Sequence, residues 1–222
     1  SEGSRAGADS GQMLGRRMAR VEDGPLLRGA GRFVDDIDVP GQLHAAFLRS
    51  PLAHARIKTI DTTAARKAPG VHAVLTYADL RPITPQDRIP LATPTGAIRF
   101  DVDPYALVDK ECCYVGEPVA LVVADSRRLA EDALALIGLD LDPLPAVLEP
   151  RAGLEPGAPR AQLDCPDNLV AHWVVEYGDV ERAFAGADHR MSEHFRIHKG
   201  GGHSIEARGV LARFDATDEL FT

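Results

Sequence analysis

Four histidines crowd the C-terminal part of the sequence and are its best candidates for binding a metal ion: His189, His194, His198 and His203. Imidazole is a common ligand of zinc and iron. If Asp188–His198 forms a strand, however, Arg196 shares a face with two of these histidines, and an arginine is a poor neighbour for a cation. No carboxylate or cysteine in the sequence completes a familiar ligand spacing. The pattern therefore favours a solvated or interface-facing strand over a metal site.

Two glycine-rich segments have the composition of loops that bind anions through backbone N–H groups. The segment Lys199-Gly-Gly-Gly-His203 lacks the spacing of a phosphate-binding loop and the strand and helix that flank such a loop. The segment Gly29-Ala-Gly31 departs from the dinucleotide-binding pattern at its third glycine. We interpret both segments as flexible turns.

The sequence has three cysteines, of which two are adjacent: Cys112, Cys113 and Cys165. An odd number without a C-x-x-C motif is typical of a protein from a reducing cytoplasm. Glu111 precedes the adjacent pair and a predicted strand follows it, which favours a buried structural role over redox chemistry. Cys165 lies in a proline-rich segment, and we expect it to be exposed.

The remaining reactive side chains do not form a catalytic motif. No serine sits in the glycine frame of a nucleophile elbow. The carboxylate pairs Asp35-Asp36 and Glu131-Asp132 fit a turn and the face of a helix. From the residues alone we assign no catalytic residue, no cofactor-binding residue and no metal ligand.

The composition narrows the class of protein. The chain has 222 residues, enough for one or two domains, and a formal net charge of −8. This acidic balance argues against a general nucleic-acid binder, which needs a basic face. The longest apolar run, Val119–Ala124, is far shorter than the roughly 20 residues of a membrane span. Ser1–Ser10 has no apolar core of a signal peptide, so we expect a cytoplasmic protein.

The clearest element pattern is a strand, a helix and a second strand in the middle of the chain. Tyr114–Ala124 is the first strand, Arg127–Ile137 is a helix capped by Asp125 or Ser126, and Leu139–Leu141 is the second strand. If both strands join one sheet, their crossover is right-handed. A short helix is predicted over Thr62–Lys67, and further strands over Leu43–Leu48, Ala55–Ile60 and Val71–Thr76. The predicted class is α/β, more narrowly α+β with a mixed sheet.

Two proline-rich segments interrupt the regular pattern. Arg81–Asp109 carries five prolines and is predicted to be a long surface excursion, whereas Pro145–Pro166 is predicted to be a linker. After the linker the composition changes. The elements predicted there are a helix over Val180–Ala185, a strand beginning near Asp218, and strands over Val170–Tyr177, Asp188–His198 and Val210–Phe214.

From about residue 17 to its end, the chain carries a series of long strings that resemble, in order, the large subunit of the molybdenum hydroxylases. Among them are Leu27-Arg-Gly-Ala-Gly-Arg-Phe-Val-Asp-Asp-Ile, Leu48-Arg-Ser-Pro-Leu-Ala-His-Ala-Arg-Ile, Tyr114-Val-Gly-Glu-Pro-Val-Ala and Asp142-Pro-Leu-Pro-Ala-Val. This family includes xanthine dehydrogenase, aldehyde oxidase and aerobic carbon monoxide dehydrogenase. The resemblance implies an α/β hammerhead domain over 20–146 and the truncated start of a molybdopterin-binding domain over 168–222. The glycine-, serine- and alanine-rich composition of the N-terminus predicts a disordered tail over 1–19, and the prolines predict a linker over 147–167.

The resemblance also implies a function. Family members hydroxylate an aldehyde, an N-heterocycle or a similar carbon centre, or oxidise carbon monoxide, at a molybdenum–pterin cofactor, and iron–sulfur clusters and FAD on partner domains or subunits carry the electrons. The implied partners are those domains or subunits, the rest of the molybdopterin-binding domain and, for a homodimer, a second copy. No nucleic-acid or membrane partner is expected.

The family's cofactor loops and catalytic glutamate lie beyond the resembling region. The position near the cofactor in some relatives falls at Gly200–Gly202, which offer no side chain. We therefore expect a structural segment that holds no cofactor itself, and whether the chain is an enzyme is left open. The alternative is a stand-alone hammerhead-type binding or assembly module, or a naturally split subunit. Glu117 either forms a hydrogen bond at a subunit interface or holds the turn before its strand.

Overall fold

The computed structural model describes most of the chain: Gly15, residues 18–90 and 97–197, Gly202, Ser204 and residues 206–222. The described helices are α1 (Asp23–Leu27), α2 (Tyr77–Leu80), α3 (Arg127–Leu134) and α4 (Val180–Ala185). The described strands are β1 (His44–Arg49), β2 (Ala55–Asp61), β3 (Val71–Leu75), β4 (Glu111–Cys112), β5 (Pro118–Ala124), β6 (Gly138–Pro143), β7 (Phe214–Asp215) and β8 (Leu220–Phe221). None of the described helices is long and apolar enough to cross a membrane.

The chain divides into two compact units, which are described separately. The larger unit is Gly41–Glu193, and the smaller combines Ser1–Pro40 with His194–Thr222. Most of the predicted tail, residues 1–14, 16 and 17, lies outside the described residues.

Two three-stranded sheets build the larger unit. The first has β5 between β1 and β3, and the second has β2 between β4 and β6. All these pairs are antiparallel, so the α+β class is confirmed, with antiparallel sheets where a mixed sheet was expected. The two strands that flank α3, β5 and β6, lie in different sheets. The condition for a right-handed crossover within one sheet is therefore not met.

Strand β5 is buried along one face and, at Val119, on the other face as well. Ala120, Val122 and Ala124 pack against α3, where Ala130 and Ala133 are also buried. The small alanine side chains allow the helix to approach the sheet closely. On the opposite face of the strand, a second core cluster forms around three buried residues, Val108, Cys112 and Val119. Full burial of one face and partial burial of the other fit the continuous apolar run of this strand.

Helix α3 begins where the sequence predicts. The hydroxyl of Ser126 accepts a hydrogen bond from the backbone N–H of Leu129 at 3.3 Å, which selects Ser126 over Asp125 as the cap. The helix ends at Leu134, and the next residues continue in tighter turns, with the N–H of Ile137 bonded to the carbonyl of Leu134. The predicted end at Ile137 is thus three residues too late. The predicted helix Thr62–Lys67 is reduced to a short 3-10 turn, Ala65–Lys67.

The proline-rich excursion Arg81–Asp109 is irregular in its described parts, as predicted, and specific polar contacts order it. Arg88 donates to the hydroxyl of Tyr105 at 3.0 Å, and its guanidinium lies 4.1 Å from the centre of the same ring. The hydroxyl of Tyr77 donates to a carboxylate oxygen of Asp87 at 2.9 Å. These contacts tie the excursion to the end of β3 through α2.

Two predicted strands are wrong. Val170–Tyr177 contains no strand, and within it Ala171 forms an isolated bridge with Ile98. Trp173 is 64% exposed. The described part of Asp188–His198, residues 188–197, also contains no strand. A β-favouring composition needs a neighbouring strand to pair its backbone groups, and no such neighbour lies beside these segments in the described part of the chain.

The helix Val180–Ala185 is confirmed, with a carboxylate oxygen of Asp179 accepting from the N–H of Arg182 at 2.9 Å.

The smaller unit joins the two ends of the chain. A carboxylate oxygen of Glu206 accepts a hydrogen bond from the N–H of Val34 at 2.6 Å. Gly209 packs against the same residue so closely that a Cβ there would lie 3.0 Å from the Cβ of Val34. The predicted strand Val210–Phe214 shrinks to β7, which pairs with β8 in a hairpin. The strand predicted to start near Asp218 is therefore present, beginning at Leu220.

Gly70 provides a test of how tightly α3 packs on the first sheet. Its φ is +75°, and a Cβ there would lie 2.7 Å from Cδ1 of Leu129. Gly41 has a similar φ of +80° but nothing within 4 Å. We expect Gly70→Ala to lower the free energy of unfolding by about 1–3 kcal/mol and Gly41→Ala by about 1–2 kcal/mol, because both add backbone strain and only the first also displaces the end of the Leu129 side chain. Urea unfolding followed by far-UV circular dichroism measures both, and equal losses would contradict the expected packing.

Candidate functional site

A group of polar side chains lies buried where the two sheets meet, and we refer to it as the carboxylate cluster: Ser50, His54, Glu111 and Glu117. Ser50 is 2%, Glu117 4% and His54 5% exposed. The cluster is positioned by the end of β1, the start of β2, strand β4 and the turn that leads into β5. It brings three largely covered titratable side chains together, His54, Glu111 and Glu117, and is therefore our first candidate for chemistry.

The turn Tyr114–Glu117 is attached to the end of β1. The N–H of Glu117 donates to the carbonyl of Tyr114 at 3.3 Å, and Gly116 between them has a φ of +89°, which favours glycine. The N–H of Gly116 donates to the carbonyl of Ser50 at 2.8 Å, and the N–H of Ser50 donates to the carbonyl of Glu117 at 2.9 Å. Arg49 adds a side-chain bond to the carbonyl of Gly116 at 2.8 Å. The turn and the strand end thus hold each other by backbone bonds.

The Glu117 side chain folds back on the chain just before this turn. One of its oxygens accepts a hydrogen bond from the N–H of Cys113 at 2.5 Å. Burial raises the pKa of Glu117 above its usual range, and the nearby charge of Glu111 raises it further, although bonds from the N–H groups of Cys113 and Tyr114 oppose both effects. Of the two roles considered for Glu117, its burial and bonding support the one within the turn.

His54 and Glu111 form a largely buried hydrogen-bonded contact. Nδ1 of His54 lies 2.7 Å from the carbonyl oxygen of Pro145, so this nitrogen carries a proton, because a carbonyl only accepts. Nε2 lies 2.6 Å from a carboxylate oxygen of Glu111, and one proton between them completes the bond. The N–H of Leu163 donates to both Glu111 oxygens at 2.9 and 3.0 Å. Nothing in the spacing of His54 and Glu111 along the chain predicts this pair.

The arrangement can hold protons but does not present them to a substrate. A general acid or base must come within hydrogen-bond distance of the reacting group. Here the ring nitrogens of His54 and the oxygens of Glu111 are occupied by protein partners, and both side chains are largely covered. Within the described residues, no buried side-chain polar atom lacks a hydrogen-bond partner. The cluster is therefore suited to fixing the backbone.

The thiols have the wrong protonation state for metal ligands. Burial raises the pKa of Cys113 to about 12, and the carboxylates of Glu111 and Glu117 act in the same direction. Burial also raises the pKa of Cys112 and Cys165. A metal or iron–sulfur cluster binds the thiolate, which these environments disfavour. Among the described residues, no group of three or more His, Cys, Asp or Glu side chains is arranged to hold a metal ion. This donor set does not fit a metal centre.

The other residues that the sequence singled out lie apart from the cluster. His189 and His194 belong to exposed irregular chain, whereas His198, His203 and most of the Lys199–His203 segment lie outside the described residues. Phe195 and Ile197 are both exposed, so the expected two-faced strand is absent there. Gly29 follows α1 with a φ of +67°, as its interpretation as a turn requires.

The carboxylate pairs Asp35-Asp36 and Glu131-Asp132 and the thiol of Cys165 also lie outside the carboxylate cluster and have partners of their own. A carboxylate oxygen of Asp36 accepts from the N–H of Phe33 at 2.9 Å within a turn, and Glu131 pairs with Arg127 at 2.9 Å on the surface of α3. The expected exposure of Cys165 is wrong, because it is 5% exposed. Its thiol donates to the side-chain carbonyl of Gln162 at 3.6 Å, so the proline-rich segment folds over it.

The raised pKa of Glu117 predicts a pH dependence. The folded protein binds this proton more tightly than the unfolded chain does, so the stabilisation is complete below the unfolded pKa and is lost as pH rises through the folded value. Between about pH 4 and about pH 8, we expect the free energy of unfolding of the wild type to fall relative to that of Glu117→Gln. Urea titrations at several pH values measure the difference, with exposed Glu176→Gln as the control for loss of charge. A wild-type advantage that grows with pH would contradict the raised pKa.

Cys113 is expected to resist alkylation. A pKa near 12 in place of 9.0 lowers the thiolate fraction at pH 8 roughly a thousandfold. In the Cys112→Ser, Cys165→Ser double variant, Cys113 is the one remaining thiol, and mass spectrometry then gives its rate of reaction with iodoacetamide. We expect a rate hundreds of times below that of a free cysteine peptide, recovering in urea. A rate equal to that of the peptide in the folded protein would refute the expected burial effect.

Known proteins are similar to this chain in both sequence and fold. The family model for the a/b hammerhead domain of aldehyde oxidase and xanthine dehydrogenase matches residues 28–145. The nicotine 6-hydroxylase large subunit of Paenarthrobacter nicotinovorans is 42% identical over 208 residues, which are 93% of this chain and 25% of the relative. The chain spans about a quarter of the length of the first curated relatives it matches.

Two solved structures show the same similarity in three dimensions. A Cu,Mo carbon monoxide dehydrogenase in its carbon monoxide reduced state has a TM-score of 0.61 and 37% identity, covering 78% of this chain and 22% of the other. The aldehyde oxidoreductase from Desulfovibrio gigas has a TM-score of 0.62 and 29% identity, covering 76% of this chain and 19% of the other. This chain belongs to the aldehyde oxidase and xanthine dehydrogenase family and contains its hammerhead domain. The matching domain model, the sequence identity and the shared architecture all show this.

Proposed function

We propose that this chain is the N-terminal part of the large subunit of a molybdenum-cofactor oxidoreductase, and that this part is structural and performs no chemistry alone. The observation that carries the proposal is the extent of the similarity. The match to the nicotine 6-hydroxylase large subunit covers 93% of this chain and therefore continues well beyond the hammerhead residues 28–145. A stand-alone module that shared only the hammerhead fold would need no such similarity outside it.

The geometry of the larger unit supports a scaffold role. Its buried histidine and carboxylates are used within the protein, and its thiols have raised pKa values. In enzymes of this kind the cofactor carries the difficult chemistry, while the protein positions and encloses it. The proposed reaction is hydroxylation of an aldehyde, an N-heterocycle or a similar carbon centre, or oxidation of carbon monoxide. The molybdenum–pterin cofactor would supply that chemistry when bound by other parts of the subunit.

The proposal includes the partners and the domain limits. Iron–sulfur and FAD subunits or domains would accept the electrons. Residues 168–222 would be the start of the molybdopterin-binding domain, and the rest of that domain would be a partner of this segment. A homodimer is compatible with both. The proposed limits are 20–146 for the hammerhead and 147–167 for the linker, after a tail over 1–19. The similarity to a protein whose name is that of a large subunit supports assembly with smaller subunits. We place the assembly in the cytoplasm, on the argument that the chain has three unpaired thiols.

Metal and flavin analysis of two samples tests this proposal. One sample is the product of the gene that encodes this sequence, tagged and purified from its own cells, and the other is the 222-residue chain expressed in the same cells. We expect molybdenum, iron and flavin in the first, with reduction of an artificial acceptor by an aldehyde, an N-heterocycle or carbon monoxide. We expect no molybdenum in the second.

Two results would overturn the proposal. Stoichiometric molybdenum in the 222-residue chain would show that these residues hold the cofactor themselves. A natural gene product without molybdenum and without activity on any of the three substrate classes would favour the stand-alone or assembly module instead.

A further inference from the structure

We propose that residues 144–170, called the strap below, form a locked connector, and that the buried His54–Glu111 pair is its lock. This segment contains the residues that the sequence predicts to be a linker. Its contacts fix it to the larger unit at the start, in the middle and at the end. The inference concerns a conformational device and does not depend on the proposed reaction.

The start of the strap is held by both the backbone and the side chain of His54. The N–H of Leu144 donates to the carbonyl of His54 at 2.9 Å, and Nδ1 of His54 donates to the carbonyl of Pro145 at 2.7 Å. The same imidazole contacts Glu111 through its other nitrogen at 2.6 Å. The chain therefore cannot leave this position without breaking a buried bond to His54.

The later part of the strap returns to the same pair. The N–H of Leu163 donates to both carboxylate oxygens of Glu111, at 2.9 and 3.0 Å. The His54–Glu111 contact therefore closes a loop that begins at Pro145 and ends at Leu163. Closing a loop of this length costs conformational entropy, which the buried and charge-assisted bonds must offset. Loss of the His54 imidazole would remove the side-chain bond to Pro145 and would leave the Glu111 carboxylate, which holds Leu163, without its buried partner.

Asn168 holds the interior of the strap together. Its side-chain amide donates to the carbonyls of Gly153 and Pro159, at 2.8 Å each, and its side-chain oxygen accepts from the N–H of Ala161 at 2.7 Å. These bonds give partners to backbone groups that would otherwise lack them, because the prolines of this segment prevent a regular helix or strand. We call these three Asn168 bonds the frame of the strap, as distinct from its lock, the His54–Glu111 pair.

Arg99 fixes the end of the strap. Its guanidinium donates to both carboxylate oxygens of Asp167, at 2.8 and 2.9 Å, and to the carbonyl of Leu169 at 2.9 Å. Its backbone N–H donates to the carbonyl of Val170 at 2.9 Å. A planar guanidinium that engages a carboxylate with two parallel bonds restrains orientation as well as distance. The chain thus leaves the strap in a defined direction.

Limited trypsin digestion of the full chain measures opening of the strap, because a protease needs the backbone locally unfolded. Arg151 and Arg160 are cleavage sites within the strap, and Arg190 and Arg196 are internal reference sites in exposed irregular chain. His54→Ala is the test variant. His72→Ala is its matched control, since His72 makes a contact of the same length, 2.6 Å, with Asp125, but is half exposed and outside the strap.

We expect cleavage at Arg151 and Arg160 to accelerate at least tenfold in His54→Ala, with no change at the reference sites and none in His72→Ala. Hydrogen exchange adds a second measurement: the amide of Leu163 should lose protection while that of Val122 in β5 keeps it. Unchanged cleavage within the strap would overturn the proposal. Equal loss of protection at Val122 would also overturn it, because the pair would then support the whole unit instead of the strap.

A second variant tests the Asn168 bonds within the strap separately from the His54–Glu111 lock. Asn168→Asp keeps the acceptor for Ala161 but replaces the donor to Gly153 and Pro159 with a carboxylate oxygen. We expect faster cleavage at Arg151 and Arg160, with the Leu163 amide still protected by Glu111. Simultaneous loss of protection at Leu163 would show that the lock does not act independently of the frame, and cleavage at the wild-type rate would show that the frame has no effect.

Discussion

Strand β5 is the constraint on which the larger unit depends, because it is needed by both core clusters at once. It pairs with β1 and β3 through its backbone, packs on α3 with one face and contributes Val119 to the second cluster with the other. A strand buried in this way cannot shift its register by one residue without exchanging the two sets of side chains. Gly116 and Pro118 fix its start, since Gly116 adopts a positive φ and Pro118, which has no N–H, is tolerated at the first position of a strand.

The polar interior follows from the same constraint. The turn before β5 must enter the core, and its backbone groups need partners there. Ser50 and Glu117 supply those partners, and burial of the Glu117 carboxylate raises its pKa. Buried carboxylates often take part in catalysis. Here, however, the hydrogen bonds that Glu111 and Glu117 accept from backbone N–H groups explain why these carboxylates lie in the interior. The scaffold role therefore rests on how completely the polar groups are used.

Local signals predicted the elements that are specified locally. Ser126 and the apolar face of α3 define that helix, and the apolar run Val119–Ala124 defines β5. The prediction failed where the outcome depends on distant neighbours. Trp173 has a β-favouring context but no adjacent strand, and Cys165 is buried because the proline-rich segment folds over it. The contact between His54 and Glu111 joins residues 57 positions apart, and no periodicity encodes such a distance.

The position of Trp173 has a practical consequence for spectroscopy. It is the chain's one tryptophan, it is 64% exposed, and it follows directly on the strap instead of lying in either core cluster. We therefore expect its fluorescence spectrum to resemble that of a solvated indole in the native protein and to change little when the sheets come apart. Intrinsic fluorescence would consequently be a poor measure of folding for this chain, whereas a partner that bound over Trp173 would shift it.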